Sequence, residues 1–196
     1  MATPDLEPAA RQLAALVAGV GDDQLRAPTP CPAYTLGALL DHVGRLSLAF
    51  TGAATKATGD GTGQGPSGDA TRLAADWRSR IPRDLTGLAA AWRDPDAWSG
   101  MTKAGGIDLP GAVAGVVALD EIVLHGWDVA RASGQAYTPD PAAVEAIHGF
   151  LAQFATPEQA AMRSNIFGPI VPVPDQAPLF DRVLGLAGRD PGWTPG

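Results

Sequence analysis

Between Gly111 and Ser133 the chain reads as one long apolar helix, yet Glu121, His125 and Asp128 all fall on its inward side. Positions three and four apart are neighbours on a helix face, with Cβ atoms about 5–6 Å apart. A carboxylate buried on such a face is costly unless it meets a counter-charge, a shifted proton equilibrium or a metal. The stretch therefore constrains its surroundings, because whatever packs on it must bring polar partners to an otherwise apolar seam. The expected inward stripe is Val113, Val117, Glu121, Leu124 and Asp128, flanked by Val116, His125 and Val129, and Gly134 is placed to end the helix as its C′ glycine.

The remaining segments supply helices to pack against it. Leu6, Ala9, Ala10, Leu13, Leu16 and Val17 follow helical spacing across residues 5–20. A second helix is expected from an N-cap at Thr35 to about Ala54, with Leu36, Leu39, Leu40, Val43, Leu46 and Phe50 as its stripe. His42 lies on the inward half of that helix, and Asp41 sits beside the stripe. Residues 56–69, rich in Gly, Thr, Ser and Pro, read as a mobile loop. Residues 70–93 read as helical with a kink or restart at Pro82, and 94–110 as a connector with room for a short hairpin around Gly105-Gly106. A fifth helix spans 140–155 with Pro141 in its first turn. The tail from 163 reads as extended, apart from a short helix over 177–187 that ends at Gly188, with Trp193 packed onto the bundle. Strand alternation is weak throughout. The pattern predicts an all-α fold: a four-helix bundle with an extra helix over residues 1–160, and a Pro-rich C-terminal extension, 161–196, packed on it.

Composition narrows the function. A length of 196 residues suits one domain with a hydrophobic core. A net charge of −7 without basic runs argues against nucleic acid and against anionic membrane surfaces. The single cysteine, Cys31, rules out an intramolecular disulfide and a Cys-rich zinc site. No apolar run is long enough to span a bilayer and the N-terminal residues lack a signal pattern, so a cytoplasmic protein is expected.

Two readings of the buried polar residues stay open on pattern alone. In the first, His42 from the second helix joins Glu121 and His125 on a divalent metal, as His, Glu and His. Three protein ligands leave a position open, the pattern of a catalytic site. Zinc fits this donor set best, with nickel, iron and manganese also compatible. In the second, the same residues are a hydrogen-bonded core patch, with Arg45 or Arg131 neutralising Glu121. Asp128, three residues after His125, either orients the imidazole, contacts a ligand, or pairs with Arg131. His148 stands apart from other candidate ligands. Cys31, four residues before the second helix, is either a packing residue or a thiol whose pKa the helix N-terminus lowers.

Two segments add a resemblance. Thr29-Pro30-Cys31-Pro32-Ala33-Tyr34-Thr35 with Leu39-Leu40-Asp41-His42-Val43, and then Glu121 through Ala130, resemble the paired signatures of the mycothiol-dependent maleylpyruvate isomerase family. That family lies within the DinB-like metalloenzyme superfamily. The tail, from Phe167-Gly168-Pro169 to Gly188-Arg189-Asp190-Pro191, is similar to its single-domain actinobacterial branch. The resemblance implies a DinB-like four-helix bundle holding a metal through His42, Glu121 and His125. It further implies mycothiol, or a similar low-molecular-weight thiol, as cosubstrate in an S-transfer or isomerisation of a small electrophile. Asp128 would then be the catalytic candidate, orienting His125 or a thiol-cofactor amide. The sequence departs from the family pattern at Tyr34 and Gly37, expected at the pocket mouth and away from the ligands. A non-catalytic metal- or small-molecule-binding bundle is the alternative, and a homodimer is left open.

Overall fold

The computed structural model describes residues 3–57, 68–156 and 167–195. Residues 58–67 of the expected loop, 157–160 at the end of the bundle segment and 161–166 of the expected C-terminal extension lie outside the described residues.

Helix α1 (Glu7–Ala18) buries Ala9, Ala10, Leu13, Leu16 and Val17, the positions selected by the spacing. Helix α2 (Leu36–Ala54) starts where the Thr35 hydroxyl accepts the Ala38 N–H. Such a cap is worth about 1 kcal/mol. Helix α3 (Trp77–Ala91) is shorter than its pattern. Residues Ala70–Arg72 form a separate 3-10 turn instead. The cause is a tether: the Asp69 N–H donates to Asp41 on α2, while the Asp69 carboxylate accepts from the Thr71 N–H. Only after this anchor does the chain turn into α3, which then runs through Pro82 without a restart.

Helix α4 (Gly111–Ser133) follows a short antiparallel hairpin, β1 (Met101–Ala104) and β2 (Ile107–Pro110). Gly105 and Gly106, at φ 58° and 82°, form the two-residue turn, a conformation that favours glycine. The Thr102 hydroxyl donates to the Ala53 carbonyl and fastens the hairpin to α2. Helix α4 ends at Gly134, φ 71°, as expected. Helix α5 (Pro141–Leu151) is capped by Asp140, and after an extended stretch the tail forms α6 (Leu179–Leu186).

Helix α1 packs on α3 and α4, and α2 packs on the same two. The four helices thus close a ring in the order α1, α3, α2, α4, an all-α bundle as the spacing predicted. Helix α5 lies against α4, and α6 lies against α5. Trp193 packs on the core, and its carbonyl accepts from Arg131 of α4 at 3.0 Å. Among the described residues, no helix is long and apolar enough to cross a membrane.

The inward stripe of α4 differs from expectation in its first half. Val113 is exposed, while Gly111, Ala114, Gly115 and Ala118 are buried. The small residues let the neighbouring 3-10 turn, Pro95–Trp98, close on that face with the Trp98 indole. From Ala118 to Ala130 every residue is buried except Glu121.

Candidate metal centre

Adjacent in the ring, α2 and α4 bring His42, Glu121 and His125 to one point. His125 Nε2 lies 3.0 Å from Glu121 Oε2 and 3.1 Å from His42 Nε2. His42 Nε2 lies 3.5 Å from the same carboxylate oxygen. An ion bound at about 2.0–2.2 Å to each of three such atoms would set them about 3–3.5 Å apart. The donor set and its spacing therefore fit a first-row divalent cation.

Both imidazoles are held by neighbours. Tyr34 stacks on His42, with ring centroids 5.2 Å apart and planes inclined by 28°. The departure at Tyr34 thus touches a candidate ligand directly, contrary to expectation. Gly37 lies beneath the Leu25 carbonyl and the Ala70 methyl, where a larger side chain would crowd them. Gly68 passes so close to α2 that a Cβ there would fall 2.1 Å from the Ala38 carbonyl oxygen and 3.1 Å from the His42 Cβ. His125 Nδ1 lies 2.9 Å from Asp128 Oδ2. A carboxylate only accepts, so this nitrogen carries the proton and Nε2 is the atom turned toward Glu121 and His42.

The electrostatics follow from that arrangement. Burial works against a charged His125, but the hydrogen bonds to Asp128 and Glu121 outweigh it and push its pKa up to about 9. Burial likewise works against a charged Glu121, yet hydrogen bonds from His125 and His42 hold its carboxyl well below the usual carboxylate range. With no cation between them and His125 protonated on both nitrogens, Nε2 would donate to Glu121 Oε2, 3.0 Å away. A metal would compete with that proton for the same nitrogen. The Glu121 side chain keeps 30% exposure, against 11% for His42 and 6% for His125, so the cluster opens on the Glu121 side.

The alternative partners are engaged elsewhere. Arg45 pairs with Asp41, at 3.6 Å, and Arg131 bonds the Trp193 carbonyl. Asp128 is not paired with Arg131. It is fully buried, and its Oδ2 is shared between His125 and Arg189 Nη2, the latter at 3.1 Å. His148 is half-buried on α5, with Arg182 Nη2 3.4 Å from its ring. Burial pushes the pKa of the Cys31 thiol up, against the lowering effect of Arg189, so the helix N-terminus does not lower it as the second reading of Cys31 expected.

Two residues near the centre had no assigned role in the sequence reading. Asp120 is buried beside Glu121, and among the described residues its Oδ1 has no hydrogen-bond partner. Arg189 comes from the tail. The only sequence signal for it is its place after Gly188 in the quoted tail motif.

The sequence model of the mycothiol maleylpyruvate isomerase N-terminal domain family matches residues 6–130, which include all three candidate ligands and Asp128. The chain belongs to this family. Two Mycobacterium tuberculosis proteins, from strains H37Rv and CDC 1551 and both described only as uncharacterized, are each 29% identical over 184 residues. The match covers 90% of this chain and 91% of each relative. A crystal structure of the mycothiol-dependent maleylpyruvate isomerase matches with a TM-score of 0.56 at 16% identity, over 77% of this chain and 70% of that one. At that identity the likeness speaks for the fold.

Proposed function

We propose that this family member binds one divalent metal ion, most readily zinc, through His42, Glu121 and His125, and uses it to react a low-molecular-weight thiol of the mycothiol type with a small electrophile. The observation that carries the reading is the convergence of His42 Nε2, His125 Nε2 and Glu121 Oε2 within 3.5 Å of one another, two helices contributing to one point. Family membership and the mycothiol-dependent structural neighbour support the choice of thiol.

The chain's own residues have distinct tasks in this reading. Asp128 accepts the Nδ1 proton of His125 and so keeps Nε2 free to coordinate. Being wholly buried, Asp128 is suited to orienting His125 and not to meeting a cofactor amide. Tyr34 holds the plane of His42. Glu121 contributes one negative charge and borders the side left for the reactants. The bound ion would supply Lewis acidity, lowering the pKa of a thiol placed on it toward neutrality. With the thiol proton released to solvent, the thiolate sulfur would attack an electrophilic carbon of the substrate. If a leaving group departs with the bonding pair, the outcome is S-transfer. If the new C–S bond breaks again after rotation about the former double bond, the outcome is cis–trans isomerisation and the thiol is regenerated.

Elemental analysis of untagged protein tests the site. About one divalent ion per chain is expected, falling to well below half in His42→Ala and Glu121→Gln. Undiminished metal in both variants would assign it to another place. Consumption of mycothiol with a chloro-dinitro arene tests the chemistry, and bound metal with no turnover would assign the chain to non-catalytic binding.

A further inference from the structure

Arg189 reaches the centre from outside the bundle. Helix α6 ends in a C-terminal cap in which the Gly188 N–H bonds the Gly185 carbonyl and the Arg189 N–H bonds the Leu184 carbonyl, at 3.1 and 2.8 Å. Gly188 sits at φ 76°, and a Cβ on it would fall 2.9 Å from Gly168. This cap fixes the direction in which the Arg189 side chain leaves. Its Nη1 donates to the Ala187 carbonyl at 2.8 Å, and its Nη2 donates to Asp128 Oδ2 at 3.1 Å. The side chain is only 12% exposed.

The need for it follows from Asp128. That carboxylate has no solvent exposure, and its Oδ1 has no hydrogen-bond partner among the described residues. A dry, anionic carboxylate needs a counter-charge. The structure places the Arg189 guanidinium against it, with Nη2 3.1 Å from Asp128 Oδ2.

We propose that Arg189 is a positioning residue of the metal centre: the tail clamps Asp128 through it, and Asp128 in turn fixes the ring orientation and tautomer of His125. The clamp makes α6 and the tail part of the site's support, although the main packing of α6 is on α5, which carries none of the ligands. One arm of its test rests on the metal reading above, and the other does not.

In the metal-free protein, imidazole nitrogen and proton resonances report His125 directly. Arg189→Met is expected to shift the His125 ring signals and to speed exchange of its Nδ1 proton. Arg189→Lys, which keeps the charge without the anchor on Ala187, should show a smaller change. In the metal arm, zinc affinity is measured by competition with a chromophoric chelator. Arg189→Met should weaken binding about tenfold in the wild-type background. In the Asp128→Asn background the same change should matter less than about twofold, because the two residues act as one unit. Unmoved His125 signals in both Arg189 variants would overturn the proposal, and so would equal affinity losses in both backgrounds. If Arg189→Met does not fold, Arg189→Lys carries both arms. A wild-type protein that binds no zinc sinks the metal reading alone, and the resonance arm still decides the role of Arg189.

Discussion

Asp120 and Glu121 are consecutive carboxylates with opposite fates. Glu121 meets two imidazoles and is held ionised. Among the described residues Asp120 meets no hydrogen-bond donor at Oδ1, and burial, reinforced by the neighbouring Glu121 charge, pushes its pKa up to about 8. A carboxyl raised in the folded state from an ordinary value near 4 binds more protons folded than unfolded between about pH 4 and 8. Its contribution is intact below that window and is lost as pH rises through it. Asp120→Asn removes this penalty, so the variant should gain on the wild type steadily from pH 5 to 8 and then level off. Thermal melts of chelated protein across that range check this, and a gap that is flat or shrinks with pH contradicts the assignment. Tyr34 offers a second check at the same scale. Tyr34→Leu loses the stack on His42 and should weaken zinc binding by about tenfold, as loss of a ligand's orienting partner does, while Tyr34→Phe should stay within about twofold. Helical spacing placed His42, Glu121 and His125 on inward faces, while the choice between a metal site and a hydrogen-bonded patch stayed open on pattern alone. Arg189 was not legible in the sequence, since it lies 61 residues beyond Asp128 with no periodic cue linking them.

Helices carry the legible part of the fold. The apolar spacing placed α1, α2, α4 and α5 to within a few residues, and Thr35 and Gly134 mark ends where local chemistry decides. Gly134→Ala should cost about 1 kcal/mol, because a Cβ is strained at φ 71°. Thr35→Ala should cost a similar amount, about 1 kcal/mol, through loss of the cap. Denaturant titration reads both, and a change under 0.3 kcal/mol, roughly the resolution of such a comparison, would place the helix ends under tertiary control. Where sequence reading erred, close approach overrode hydrophobicity. The valines of the first turns of α4 promised an inward stripe, but Gly111, Ala114 and Gly115 face inward because the 95–98 turn needs the room. Likewise the tether of Asp69 to Asp41, which delays α3, joins residues 28 apart and leaves no mark on either local pattern.

For the whole molecule, metal binding at the proposed centre would be linked to proton balance. Without metal, the pKa of His125, raised to about 9, stabilises the fold below about pH 6.5 and stops doing so as pH climbs through 9. Chelated protein should therefore melt lower at pH 9 than at pH 6. The gain in melting temperature on adding zinc should grow over the same interval, because the ion need no longer displace a proton from Nε2. Scanning calorimetry at pH 6.5 and 8.5, with and without chelator, measures that difference, and a larger gain at the lower pH would count against His125 as a ligand. His42 and His125 lie 83 residues apart along the chain. A chain with one cysteine has no way to tie such distant points covalently to each other. An ion shared by those two side chains would act as a reversible cross-link around most of the ring of helices. Closing a loop of that length with a permanent bond is worth roughly 4–5 kcal/mol of unfolded-state entropy. Metal supply would then set how long the bundle survives as well as whether its centre works.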